Sequence, residues 1–255
     1  MAHIKVDDLA LEYRLASELR LVPAKRVPTP SAKNSQIGGD FAFSRGGRRQ
    51  LRAIDHVSFE LEAGDRMGLI GPNGAGKSSL LMTLAGIYQP TEGTVSITGR
   101  VDALFNIRLG FRPEASGRRN IYLRGLINGW TPEEIEARMD PIITFSELGE
   151  FIDMPLSSYS QGMAARLAFA IVTAIDFEVL LLDEWIGAGD PEFQEKARLR
   201  MDQLVAKAGI LVLASHNHQL IRSTCNKVMR MVRGRIDAFG TIDEVLGPVN
   251  HKAPA

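Results

Sequence analysis

Eight consecutive residues, Gly71-Pro72-Asn73-Gly74-Ala75-Gly76-Lys77-Ser78, carry the spacing G-x-x-x-x-G-K-[ST]. These residue types in this order can wrap a triphosphate. A triphosphate is dense negative charge, and the uncapped N–H groups at a helix start point toward it. Gly71, Gly74 and Gly76 have no Cβ, so the backbone can curl closely around phosphate. Lys77 then reaches the outer phosphates, and Ser78 offers its hydroxyl to Mg²⁺, with Ser79 next in line. The flanks agree. Met67-Gly68-Leu69-Ile70 reads as a buried strand leading in, and residues 79–84 read as a helix leading out.

Further along, the apolar run Val179-Leu180-Leu181-Leu182 ends in Asp183-Glu184. A strand end beside a phosphate loop is where a carboxylate can hold Mg²⁺, directly or through water, which suits Asp183. Glu184 can polarise an attacking water as general base. Tyr159-Ser160-Gln161-Gly162-Met163 precedes a long apolar run and by itself reads only as a helix cap with a glycine. Ala214-Ser215-His216-Asn217 follows another apolar run, and His216 alone reads more readily as structural than as catalytic. The lone Cys225 excludes an internal disulfide and reads as a packed thiol suited to a reducing compartment.

These groups need a scaffold. Residues 4–13 read as an edge strand ending in Tyr13, and 54–61 alternate as a second strand. Between them, residues 14–50 read as an irregular basic insertion with a short helix near 16–21. Its cations are free to meet anionic lipid headgroups or simply to be solvated. Strands follow at 94–97, 179–182 and 210–214, and a hairpin turns at Arg233-Gly234. Helices fall at 161–175, from Pro191 to about 208, and at 241–246. Thr131-Pro132-Glu133-Glu134 is a strong helix start: a threonine cap, proline in the first turn, and glutamate three residues after the cap. Strands alternating with helices imply an α/β fold with a mostly parallel sheet covered by helices, the phosphate lying at the carboxyl ends of its strands.

Composition narrows the class. The chain has 255 residues, 45% of them hydrophobic and 24% charged, ordinary for a globular enzyme. Thirty basic residues balance thirty acidic ones, so nothing asks for nucleic acid as a main partner. No stretch approaches the ~18 apolar residues of a membrane span. Residues 1–8 hold acids and no apolar core, unlike a signal peptide.

The order of the pieces carries a resemblance: phosphate loop, helical insert, Ser160 and Gly162 before a helix, Asp183-Glu184, Asp190, then His216 after the next strand. The chain resembles the nucleotide-binding domain of an ABC transporter over nearly its whole length. That resemblance implies a RecA-like core with a small antiparallel β subdomain and an inserted helical subdomain. The β subdomain would be about 1–62 and 94–100, the core 64–92 and 176–225, the helical part 110–175, and a C-terminal hairpin and tail 226–255. It implies a homodimer with ATP and Mg²⁺ sandwiched between the phosphate loop of one copy and the Ser160-Gln161-Gly162 signature of the other. His216 would contact the γ-phosphate, Asp190 would lie at the dimer seam or simply cap the helix at Pro191, and Tyr13 would stack on adenine, with Phe41 or Phe43 as substitutes.

Two departures point to a subfamily. The signature reads Tyr-Ser-Gln-Gly-Met rather than Leu-Ser-Gly-Gly-Gln, and the usual loop glutamine is missing, leaving Asn106 as its candidate replacement. Together with Leu109-Gly110-Phe111-Arg112-Pro113-Glu114 and Gly117-Arg118-Arg119-Asn120, this is similar to the ATPases that export O-antigen, capsule and teichoic acid. The implied partner is a transmembrane permease subunit, the implied place the cytoplasmic face of the bacterial inner membrane. Rival expectations are an ABC ATPase for a drug, lipid or lipoprotein, and a soluble ABC-type ATPase in translation or DNA repair. Some members of the export group carry an added carbohydrate-binding domain. None is expected within these 255 residues.

Overall fold

The computed structural model describes residues 1–14, 40–43, 49–105, 110–184 and 191–248, with the side chains of 14, 40–43, 49, 50, 191 and 192 left aside. In chain order the elements are β1 (His3–Arg14), β2 (Asp40–Phe43), β3 (Arg49–Glu62), β4 (Arg66–Ile70), α1 (Lys77–Leu84), β5 (Glu92–Thr98) and β6 (Val101–Leu104). Then come α2 (Gly117–Ile127), α3 (Pro132–Ser146), two short 3-10 turns, α4 (Gln161–Val172), β7 (Val179–Asp183) and α5 (Pro191–Lys207). The chain closes with β8 (Ile210–Ala214), α6 (His218–Thr224), β9 (Lys227–Val232), β10 (Arg235–Thr241) and α7 (Ile242–Leu246).

The fold divides into two compact units. The first holds Met1–Gly99, Leu181–Glu184 and Gly209–Ala255. In it, one antiparallel sheet runs β2-β3-β1-β5. The strand expected at an edge, β1, is central: Ile4 faces Leu61 on one side and Ile97 on the other. Alternating apolar residues report which face of a strand is buried, not whether its hydrogen-bonding edges are taken, so the pattern could not tell edge from centre. In the other sheet β4 lies parallel between β8 and β9, and β10 closes on β9 as a hairpin. Strands β4 and β8 are near-continuous apolar runs because both faces are covered, as a parallel sheet requires.

The second unit holds Arg100–Leu180 and Trp185–Ala208. Ile121, Trp130, Ile135, Met139, Ile142, Leu167 and Ile171 form its core. The expected start of α3 is realised in full: Thr131 accepts from the Glu134 N–H, and the Glu134 carboxylate accepts from the Thr131 N–H. Asn120, fully buried, ties the preceding loop to α2. Its side-chain oxygen accepts from the Arg112 N–H, and its amide donates to the carbonyls of Arg112, Ala115 and Ser116. Among the described residues no helix is long and apolar enough to cross a membrane.

Candidate nucleotide site

Strand β4 delivers the chain to the phosphate loop, and the loop delivers it to α1. Pro72 O accepts from the Ala75 N–H at 3.1 Å, closing the turn. Gly71, Gly74 and Gly76 all sit at positive φ (147°, 76° and 101°), where a side chain is strained. At Gly71 there is also no room, since a Cβ would lie 2.2 Å from the Met231 carbonyl oxygen. Pro72, Asn73, Gly74 and Ser78 are exposed, while Ala75 and Lys77 are buried beneath them. The Lys77 ammonium donates to the carbonyls of Gly71 (2.8 Å) and Pro72 (3.1 Å). Of its three protons one remains for a ligand. Burial holds this lysine below its ordinary range, and the negative charges of Asp183 and Glu184 pull the other way.

The remaining groups of the first unit come from the ends of β7 and β8. Asp183 is half-buried at the carboxyl end of β7. Glu184 follows in the left-handed region at φ 72°, its N–H donating to Ala214 O at 2.9 Å. A non-glycine residue there is uncommon and marks a side chain held in a required direction. That direction is toward β8: Ser215 Oγ donates to Glu184 Oε2 at 3.3 Å, and His216 Nε2 lies 4.0 Å from Glu184 Oε1. Both the glutamate and the histidine are more than half exposed, so water can reach them. A cavity of 460 Å³ at His216 is lined by Gly71, Pro72, Ser215, His218 and Arg230 among others. Ser215 also accepts from the Asn217 N–H at 3.1 Å. Reading the sequence missed Ser215; its only signal was its place between a buried strand and His216.

Tyr13, near the end of β1, reaches α1. Its hydroxyl shares a hydrogen bond of 3.0 Å with Ser79 Oγ, and its ring meets Tyr88 edge to face at 5.6 Å. Burial raises the Tyr13 phenol above its ordinary value. Tyr88 carried no sequence signal. The side chains of Phe41 and Phe43, and all of Asn106 and Asp190, lie outside the described residues.

Ser160, Gln161 and Gly162 belong to the second unit. Ser160 caps α4, its Oγ accepting from the Met163 N–H at 3.1 Å. Tyr159 before it is fixed by donating to Phe151 O at 2.6 Å, in space left open by Gly117. The free thiol of Cys225 is buried in the first unit and pushed up to about 12 by desolvation, so it is inert.

A buried lysine under a glycine loop, at the carboxyl end of a parallel strand, with an acid, a glutamate and a histidine from neighbouring strand ends, defines a phosphate-loop nucleoside triphosphatase. The comparisons with known proteins carry this one step further. Residues 54–187 match the family model for ABC transporters, and the chain belongs to that family as an ATP-binding, ATP-hydrolysing member. It is 44% identical to the O-antigen export system ATP-binding protein RfbE of Yersinia enterocolitica, over 84% of this chain and 91% of that protein. It is 36% identical to the teichoic acids export ATP-binding protein TagH of Lactococcus lactis, over 92% of this chain and 49% of that one. Among solved structures, the ATP binding subunit of an ABC transporter matches with a TM-score of 0.66 at 20% identity, over 94% of this chain and 90% of that one. A dimeric ATP-binding cassette in a post-hydrolysis state bound to ADP and Pi matches at 0.65 and 18% identity, over 94% and 98%.

Proposed function

We infer that this chain is the ATPase subunit of an exporter that moves lipid-linked surface polysaccharide across the cytoplasmic membrane. The observation that carries the reading is the 44% identity to an O-antigen export ATP-binding protein along 91% of that protein's length. The same chemistry would serve an exporter of another lipid-like cargo, and the Tyr-Ser-Gln-Gly-Met signature favours the glycan.

Each copy would contribute half of each site. Lys77 and the N–H groups of Gly74, Gly76 and the start of α1 would bind the β- and γ-phosphates of ATP. Tyr13 would support the adenine. Ser160 and the start of α4 from the second copy would stabilise γ-phosphate charge from the far side. Glu184 would take the proton of the attacking water, and His216 would hold that water and the γ-phosphate in line. Mg²⁺ suits this site. Among the described residues no cluster of three or more His, Cys, Asp or Glu forms a cage for a metal, but Mg²⁺ needs only one or two protein oxygens beside phosphate. Ser78 and Asp183 would supply such oxygens, and the ion would neutralise charge on the phosphates. Asp190 would sit at the seam between copies.

The permease would be a separate membrane protein at the cytoplasmic face. A groove of 640 Å³ in the second unit, lined by Phe111, Pro113, Leu123 and the exposed Leu126 and Ile127, suits an amphipathic cytoplasmic helix of that partner. The basic 14–50 segment would meet anionic headgroups. The test is to replace the chromosomal copy with Glu184→Gln. Loss of surface glycan with accumulation of lipid-linked glycan inside is the expected result; unchanged surface glycan contradicts the reading.

A further inference from the structure

The turn between β9 and β10 is pressed into the back of the phosphate loop, and we propose that Asp55 is the positioning residue that holds it there. The Gly234 N–H donates to the Ala75 carbonyl at 2.9 Å, and the Gly234 carbonyl accepts from the Asp55 N–H at 2.9 Å. The junction leaves no space for side chains. Gly234 lies at φ 80°, and a Cβ there would stand 2.9 Å from the Ala53 carbonyl oxygen. A Cβ on Gly76 would stand 2.4 Å from that same oxygen and 3.5 Å from the Gly234 Cα. The last glycine of the phosphate loop, the backbone of β3 and the hairpin turn therefore meet backbone to backbone.

Arg233 and Gly234 both lie at positive φ, as a tight two-residue hairpin turn requires, so the β9–β10 turn meets the loop as a fixed shape held by two backbone hydrogen bonds. Charge adds a second hold on the strand that follows the turn. The Asp55 carboxylate, 7% exposed, accepts from Arg52 Nη1 at 2.9 Å and from Arg235 Nε, the residue after Gly234. Arg52 is itself held by Glu12, its Nε and Nη2 donating to Oε1 at 2.9 and 2.7 Å. The chain of charges thus runs from beside Tyr13 to beside Gly234. Burial alone would push the Asp55 carboxyl up, but the two guanidiniums outweigh it and hold the group below the usual range. Asp55 takes no part in the chemistry proposed for ATP. Its work would be to keep the Ala75 carbonyl engaged from behind, so that the neighbouring N–H groups of the loop face outward before ligand arrives.

The inference rests on reading the loop as the ATP site, and the experiment separates the two. ATP binding to the full-length chain is measured by fluorescence of a labelled ATP, with hydrolysis at saturating ATP and melting temperature of the ligand-free chain recorded alongside. Asp55→Ala is expected to raise the Kd for ATP about tenfold, since the buried carboxylate that Arg52 and Arg235 share is removed, while kcat moves less than about twofold. Asp55→Asn, which keeps an acceptor for Arg235, is expected to recover most of that loss. Gly234→Ala attacks the same contact through the backbone and decides the matter if Asp55→Ala does not fold. Folded Asp55→Ala and Gly234→Ala chains that bind ATP like the parent, beside a Lys77→Ala control that does not, overturn the proposal. Parent-like binding by Lys77→Ala overturns the reading of the loop instead.

Discussion

Helices α1 and α4 begin in opposite ways. Gly76 precedes α1 at φ 101° and supplies no side-chain cap, so the first N–H groups of α1 are not met by any such cap. Ser160 precedes α4 with extended backbone (φ −63°, ψ 162°), and its Oγ accepts from the Met163 N–H. The first helix start is thus preset for an external anion with several oxygens, with a buried cation beneath it. At the second, one N–H of the first turn, that of Met163, is already met by the chain's own serine. A serine hydroxyl has one proton and two lone pairs, so Ser160 can accept from Met163 and still donate outward once. Around Gly162 a Cβ would meet only Ser160 Oγ, at 3.8 Å, so the approach is clear. On the proposed function the first end would hold a triphosphate, and the second would add a single donor and a helix dipole to a phosphate that the first holds.

Substitutions at either helix start separate the two roles. The largest effect is expected on the chemistry supported by the phosphate loop: Glu184→Gln should slow turnover on the order of 10³-fold while the Kd for ATP stays close to parent, read by single-turnover hydrolysis and equilibrium binding. Lys77→Ala should weaken ATP binding roughly 100-fold, because a charge-assisted contact to phosphate is removed. At the other helix, Ser160→Ala should lower turnover about tenfold and leave ATP affinity of the isolated chain unchanged, since one donor to the γ-phosphate is lost. An affinity loss equal to that of Lys77→Ala would mean that α4 holds phosphate as α1 does. The smallest effect belongs to a cap with no ligand to serve. Thr131→Ala should cost about 1 kcal/mol of stability in denaturant unfolding and leave ATP binding alone.

What the sequence disclosed follows from how far apart its partners lie. The phosphate loop is eight consecutive residues whose positive-φ glycines and closing hydrogen bond all lie within it, so composition and spacing suffice. The cap of α3 was legible for the same reason, both of its hydrogen bonds spanning three residues. Where the partner is distant the pattern falls silent. Tyr13 and Ser79 are 66 residues apart, and Asp55 and Arg235 are 180 apart. Nothing in either neighbourhood announces the other. The central place of β1 was hidden likewise, because its two hydrogen-bonding neighbours are assembled only by the fold. Asn106 and Asp190, expected beside the nucleotide, lie outside the described residues.

Mixing two inactive chains shows whether each ATP site is built from α1 of one copy and α4 of another. Lys77→Ala spoils the first half and Ser160→Arg the second. In a mixed homodimer one site would combine both faults, and the other would combine two intact halves. The account predicts that each variant alone is silent and that the equal mixture regains about a quarter of parental ATP hydrolysis, half of the dimers being mixed with one sound site of two. A mixture as silent as its components, with dimers demonstrably exchanged, would contradict it.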